Sequence, residues 1–546
     1  MHEKLSFDVA IVGGGLAGIT AAIELLDQGL KIVLIDRDSE QNFGGLATQS
    51  LGGMTLINTP VQRLNKIHDS PQVALRDWHA CAHFKEDDHW PRQWAELYVN
   101  RSVDDIYNWL KPRGIKFFPI PHWVERGEFG DGNSLPRYHI IWGTGRHLML
   151  TLIKELKDHP NSSNITYLFD HKVELLLKNK QKISGLKGSH EKTGAAFEIE
   201  SDIVLVASGG INGDIDRVKK EWDQSWGKAP QHILNGAHAY ADGSLHDAVQ
   251  RIDGNVTHLH QMWNYAAGIH HPAPRVPKEG LSLIPPKSAL WLDATGKRFG
   301  PLPLVTGFDT HNICKRIAMD SHGYSWQLMN WKIAMKEIAV SGAESNTAFR
   351  DRRIFQLARD IFLGNHKLLE YLVEECEDVV TGDSLEELVD KMNKMNASSQ
   401  TVGSGTVVLE NVKKAIDDYD AQIDRGPEFH NDDQLRRIAQ VRHWRGDRSR
   451  TCKFAKILDK KSMPLVAFRE FIVSRKSMGG IQTDLQSRVL SGSGQPIPGL
   501  YAAGEAAGFG GGGINGLKSL EGTFISNCIL NARMAVRSIT GQPLTP

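Results

Sequence analysis

Apolar residues along this chain fall into short runs, several of them ending in glycine. Phe7-Asp8-Val9-Ala10-Ile11-Val12 is rich in β-branched residues, the pattern of a parallel strand buried on both faces. It runs into Gly13-Gly14-Gly15-Leu16-Ala17-Gly18, after which Ile19 to Gln28 predicts a helix. Lys31 to Ile35 predicts a second strand, with Asp36 at its end. The pattern recurs at Asp202 to Val206, which leads into Ala207-Ser208-Gly209-Gly210, and at Pro498 to Ala502, which leads into Ala503-Gly504-Glu505. Ala241-Asp242-Gly243 opens a helix, and Leu517 to Cys528 predicts the last one. Between these parts, Ser384 with Glu387 forms a capping box before Leu388 and Met392. Leu409 to Tyr419 has helical spacing, with Leu409, Val412 and Ile416 on one face.

Strand, glycine turn, helix, strand and acid in that order predict a Rossmann-type α/β unit built around a dinucleotide. Gly13 permits the tight turn, Gly15 lets backbone N–H groups reach a pyrophosphate, and Gly18 lets helix pack on strand. The helix N-terminus adds positive partial charge. Asp36 is placed to accept hydrogen bonds from ribose hydroxyls. A second cradle follows in Gly44-Gly45-Leu46-Ala47-Thr48-Gln49-Ser50-Leu51-Gly52-Gly53. Two glycine pairs flanking small hydroxyl residues let an extended cofactor lie along the backbone, which suits FAD and which NAD does not need. Glu505 is apt for ribityl hydroxyls, and the N-terminus of the last helix is expected to face the flavin pyrimidine ring.

With these segments the chain resembles the superfamily of fumarate reductase and succinate dehydrogenase flavoproteins and 3-ketosteroid dehydrogenases. Leu292-Asp293-Ala294-Thr295-Gly296-Lys297-Arg298-Phe299 and Ser477-Met478-Gly479-Gly480-Ile481-Gln482-Thr483-Asp484 belong to the same match, in the family's order from residue 7 to about residue 530. Trp78 to Trp94 and Trp142-Gly143-Thr144-Gly145 look like its FAD-binding dehydrogenase branch. The resemblance implies a discontinuous FAD-binding domain over residues 1–265 and 464–546, with an inserted α+β cap, or substrate, domain over 266–463. Candidate cofactor contacts are completed by Arg37, Val173, Ser519 and Leu520. Succinate dehydrogenase-type chains carry a flavin-bonded histidine where this chain has Leu46, so the FAD is expected to be noncovalent.

Composition narrows the partners. Lys+Arg 64 balances Asp+Glu 64, so no global field draws the chain to nucleic acid or to an anionic membrane. At about 150 residues per domain, 546 residues allow three or four units, although α/β domains often run larger. No stretch is long and apolar enough to span a bilayer, and the first strand leads straight into the glycine turn with no signal peptide before it. Five scattered cysteines without a CxxC speak against a disulfide framework or a zinc site and predict a cytoplasmic protein. His79 and His83, and the group His258, His260, His270 and His271, are expected to be chance neighbours among 23 histidines, not metal sites. The basic stretch Arg436 to Lys461 is expected to be a solvated face, the alternative being a role in guiding an anionic substrate. Gly508-Phe509-Gly510-Gly511-Gly512-Gly513 fits GxGxxG formally, but no βαβ unit follows, and it is expected to be a mobile loop that acts as a hinge or lets substrate approach backbone.

The expected chemistry is hydride exchange with flavin N5 at a carbon–carbon bond next to a carbonyl, as in ketosteroid dehydrogenases. Family fumarate reductases place one arginine near the position of Phe308 and another at that of Ser519, and neither is present. A dicarboxylate needs such charged, bidentate partners. Where ketosteroid dehydrogenases carry a tyrosine before the Gly-Gly turn, this chain has Arg475 and Lys476, suited to stabilising an enolate or holding an anionic substrate. Tyr324 is a candidate proton donor and His260 a candidate substrate contact. The expected partners are a small molecule, either a hydrophobic ketone or an anion, and an external electron acceptor or donor. The alternatives are an enoate- or fumarate-type reductase with an altered clamp, and a flavin-binding redox module without turnover.

Overall fold

The computed structural model describes residues 5–398 and 405–543. The outermost residues of the expected FAD-binding segments (1–4 and 544–546) and residues 399–404 of the expected cap lie outside the described residues. The chain divides into two compact units. The first comprises Met1–Glu221, Ala237–Trp263 and Lys476–Pro546; the second comprises Trp222–Gly236 and Asn264–Arg475.

The first unit is built on a six-stranded sheet. Val9–Val12 lies inside it, parallel to Ile32–Ile35 on one side and to Val204–Val206 on the other. Pro496–Ala502 runs parallel beyond Val204–Val206, Ile165–Leu168 runs parallel beyond Ile32–Ile35, and Arg488–Leu490 closes one edge antiparallel. All four residues of Val9–Val12 are buried, which explains their continuous apolar character. The helix Leu16–Asp27 packs against the last helix, Thr523–Ile539. A second sheet of four strands joins Leu5–Ser6, Ala196–Glu200, Lys182–His190 and His171–Asn179.

The second unit is centred on the strand Leu465–Ser477. It pairs antiparallel with Tyr324–Asn330 and Val379–Gly382 and parallel with Ile233–Asn235. Residues 464–475 and 222–236 therefore group with the second unit, which is broader than the expected 266–463. Its helices include Leu385–Ser398, where Ser384 Oγ accepts from Glu387 N at 3.1 Å, as the capping pattern predicts. Leu409–Asp424 buries Val412, Ile416 and Tyr419. In the basic stretch, Arg442 and Arg448 donate to backbone carbonyls of Arg448, Thr451, Arg442 and His443, so these cations stitch their own turn together.

Two expectations are corrected in the first unit. The last helix begins at Thr523, not near Leu517, because Glu521 (φ 48°) and Gly522 (φ 87°) hold the left-handed backbone that breaks the chain just before it. The Gly508–Gly513 run is no hinge. All of it is buried, and a methyl group at Gly510 or Gly511 would lie within 3 Å of Trp94 or of the Trp90–Pro91 backbone. The glycines are there for close packing.

Candidate functional site

The strand Val9–Val12 delivers the glycine turn to the carboxyl end of the parallel sheet, where open α/β sheets bind ligands. Gly13 has φ 114°, and a Cβ there would lie 2.3 Å from the Ala207 carbonyl oxygen. At Gly18 a Cβ would lie 1.9 Å from the Gly13 oxygen, so this glycine sets how closely the helix Leu16–Asp27 approaches the turn. Gly15 differs: a Cβ there would meet nothing within 4 Å. No side chain caps this helix, which leaves donors at its N-terminus for another acceptor.

Asp36 closes the turn. Its Oδ2 accepts from Gly14 N at 2.6 Å and its Oδ1 from Asp38 N at 2.8 Å. Burial raises the Asp36 carboxyl above the usual range, against the pull of those two N–H donors. Next to it, the hydrogen bond from His238 holds Asp38 down to about 2, with Nε2 3.1 Å from Oδ2. Arg37 and Asp242, 205 positions apart in sequence, meet as an ion pair at 2.6 Å. Arg37 also pairs with Glu191 and lies 4.6 Å over the Tyr240 ring.

These groups wall one cleft in the first unit. Of the residues expected to contact the cofactor, the cleft unites Gly13, Gly15, Leu16, Ala17, Asp36, Arg37, Gly44, Gly45, Val173, Ala207, Ser208, Gly209, Asp242 and Glu505. Leu46, at the flavin-attachment position of succinate dehydrogenase-type chains, lines it too, and so do Gly14, His238, Tyr240, Gly504 and Cys528, which were not among the named contacts. The unbroken glycine run was a signal for Gly14, whereas nothing local marks Cys528. Glu505 Oε1 accepts from Ser477 N at 2.9 Å, and Cys528 packs beside Gly504, its thiol pushed up to about 12 by burial.

The other expected contacts do not line the cleft. Gly18 lies behind the turn. Ser50 Oγ donates to Ala47 O at 2.7 Å, and Gly52 and Gly53 would clash with the Thr144–Gly145 backbone and the Tyr138 ring if they carried a Cβ. Thr48 Oγ1 is buried without a hydrogen-bond partner. Ser519 Oγ shares a hydrogen bond with Thr523 Oγ1 at 3.0 Å, and Leu520 is buried, its carbonyl accepting from Asn133 Nδ2.

The candidate catalytic residues are dispersed. In the first unit, Lys476 Nζ sits 4.3 Å from the Phe524 ring centroid. His260 is exposed, with its ring 6.3 Å from that of His258. In the second unit, Arg475 Nη1 donates to Gly236 O at 2.5 Å, its guanidinium lies 5.6 Å over Tyr265, and its Nε is buried without a partner. Tyr324 is corrected as a proton donor: it is 1% exposed, its hydroxyl accepts from Asn396 Nδ2 at 3.0 Å, and burial pushes it up to about 12. The sequence reading missed Glu521, whose Oε2 accepts from the Trp263 indole N–H at 2.6 Å immediately before the last helix.

Among the described residues, His270, Glu377 and Asp378 come within metal-ligand reach of one another. Asp378 there already accepts from Arg469 Nη2 at 2.9 Å and from His270 N at 2.7 Å, which makes the group an ion-pair cluster. No helix of the described residues is long and apolar enough to cross a membrane.

The family described as FAD binding domain matches residues 8–525. The chain is 39% identical over 556 residues to a KsdD-like steroid dehydrogenase of Mycobacterium tuberculosis, spanning 98% of this chain and 96% of that one. It is 37% identical to a KsdD-like steroid dehydrogenase of Mycolicibacterium smegmatis, over 95% and 96% of the two chains. In fold it is similar to 3-ketosteroid Δ1-dehydrogenase of Sterolibacterium denitrificans, solved with 1,4-androstadiene-3,17-dione. That likeness has a TM-score of 0.69 at 14% identity, over 98% of this chain and 100% of the other.

Proposed function

The chain belongs to the FAD binding domain family, and from that premise we propose a dehydrogenase that oxidises a carbon–carbon single bond beside the carbonyl of a steroid-like ketone. It is an FAD-dependent oxidoreductase, and the near full-length likeness to KsdD-like steroid dehydrogenases carries the choice of substrate class. Bound FAD supplies the hydride acceptor.

The chain's own residues fit that cofactor. The uncapped helix N-terminus and the open face of Gly15 suit a pyrophosphate, and Asp36 suits a ribose. Glu505 suits the ribityl hydroxyls. Leu46 gives the flavin no nucleophile at the family's attachment position, so we assign a noncovalent FAD. The two family arginine positions hold Phe308 and Ser519 here, which supports a neutral ketone over fumarate. We assign charge stabilisation at the developing enolate to Arg475 and Lys476, and a substrate contact to His260. The five scattered cysteines, without a CxxC, support a reducing compartment, and we assign the protein to the cytoplasm with an external electron acceptor.

The test is anaerobic mixing of the yellow holoenzyme with a saturated 3-ketosteroid. Loss of flavin colour within turnover time supports the reading. A flavin untouched by such ketones, but reoxidised after chemical reduction by fumarate or another enoate, overturns it. Arg475→Ala is expected to lower turnover at unchanged flavin content; full turnover in that variant removes Arg475 from the chemistry.

A further inference from the structure

The ten-residue helix Ile354–Leu363 has no buried residue. Its sequence, Ile-Phe-Gln-Leu-Ala-Arg-Asp-Ile-Phe-Leu, is mostly apolar, which is the composition of a helix meant to cover something. The next helix, His366–Glu375, behaves as expected and buries Leu368, Leu369 and Leu372. In Ile354–Leu363 the large side chains point outward: Phe355 is 90% exposed, Phe362 78%, Leu363 64% and Ile354 52%. Single exposed apolar residues are ordinary, but four large ones on one ten-residue helix are not, and exposed apolar patches mark interaction sites.

Phe355, Arg359 and Phe362 stand at i, i+4 and i+7, so two phenylalanines flank an arginine along one face. The charges around the patch are biased as well. Residues 350–367 hold Arg350, Arg352, Arg353, Arg359 and Lys367 against Asp351 and Asp360, five positive and two negative, or +3 net in a chain of net charge zero. Arg353 and Arg359 are well exposed, the latter beside Asp360 at 3.0 Å.

We propose that this helix docks the protein onto an anionic lipid surface, its phenylalanines inserted among the headgroups and its arginines on lipid phosphates. Aromatic and aliphatic side chains with interspersed basic residues on a short helix are the make-up of an element that lies in the interface plane without spanning it. A second copy of the chain fits less well, because a two-fold contact through this face would bring two segments of net charge +3 together. The proposal is independent of the substrate assigned above.

The flavin-loaded full-length protein should float with vesicles of equimolar phosphatidylcholine and phosphatidylglycerol, and less so as salt is raised. It should stay at the bottom with phosphatidylcholine alone. Phe355→Ser with Phe362→Ser should lower the bound fraction on the order of tenfold or more, with flavin content and thermal midpoint unchanged, because both side chains face outward. Arg353→Glu with Arg359→Glu should abolish the preference for the anionic lipid. Equal binding to phosphatidylcholine alone, or parental binding in either double variant, overturns the proposal. So does loss of self-association in place of lipid binding, which would assign the patch to a second copy.

Discussion

Two glycines three positions apart in the first turn should respond in opposite ways to the same added methyl group. In Gly18→Ala the new Cβ would sit 1.9 Å from the Gly13 carbonyl oxygen, more than 1 Å inside any tolerated approach. Neither backbone segment can rotate away, so the helix Leu16–Asp27 must retreat from the sheet. The cost should be about 1–3 kcal/mol, as for overpacking elsewhere. In Gly15→Ala the Cβ meets nothing within 4 Å, and the backbone (φ −78°, ψ −172°) already suits alanine. Alanine caps a helix less well than glycine but loses less chain freedom on folding, and these terms are of similar size and opposite sign. The stability of flavin-free Gly15→Ala should therefore stay within about 0.5 kcal/mol of the parent. Its methyl group nevertheless points into the cleft. If the pyrophosphate lies there, 1–3 kcal/mol of steric cost falls on binding alone, weakening FAD about 5- to 150-fold. Urea unfolding of the apoprotein and flavin-fluorescence titration separate the two terms. A Gly15→Ala protein that binds FAD as tightly as the parent would show that this cleft is not the pyrophosphate site.

Two further predictions concern the interior. Arg137 is buried, with Nε and Nη2 on Asp69 at 2.8 and 2.9 Å and Nη1 on Asp77 at 2.6 Å. Arg137→Met should strand two buried carboxylates and cost about 3–5 kcal/mol in urea unfolding; a loss below 1 kcal/mol would show that they are not stranded. Glu470 is wholly buried, neither of its oxygens has a partner, and burial, helped by the Asp378 charge, raises its carboxyl well above the usual range. Below the unfolded value both states keep the proton. Above it the unfolded chain alone releases the proton, so stability should fall with rising pH by up to about 1.4 kcal/mol per unit until the folded carboxyl ionises too. Glu470→Gln should lose that component, and parallel stability–pH curves for parent and variant would refute it.

Much of the fold was legible because its signals are local. The strand Val9–Val12 is apolar because both faces are covered, and Gly13 and Gly18 are glycine because a Cβ would strike backbone. Ser384 reads as a cap, although the Glu387 carboxylate reaches back to Asp383 N and not to its own cap. What stayed illegible depends on distant residues. The Arg37–Asp242 pair joins positions 205 apart, and no pattern near either residue announces the other. Tyr324 looked like a proton donor by residue type, and only the packing of Phe471 and Asn396 around it reveals a core residue. The left-handed Glu521 hides a helix start, since a glutamate there is indistinguishable by type from one inside the helix.

The position of Val204–Val206 between Val9–Val12 and Pro496–Ala502 has a consequence for biosynthesis. One neighbour of this strand is made at the start of the chain and the other almost 300 residues after it. While the ribosome works through the long insertion, the strand's open edge is exposed to pairing with other nascent chains. The cleft itself stays unfinished until Ala503, Gly504, Glu505 and Cys528 have followed. A complete flavin cleft therefore waits on this distant segment.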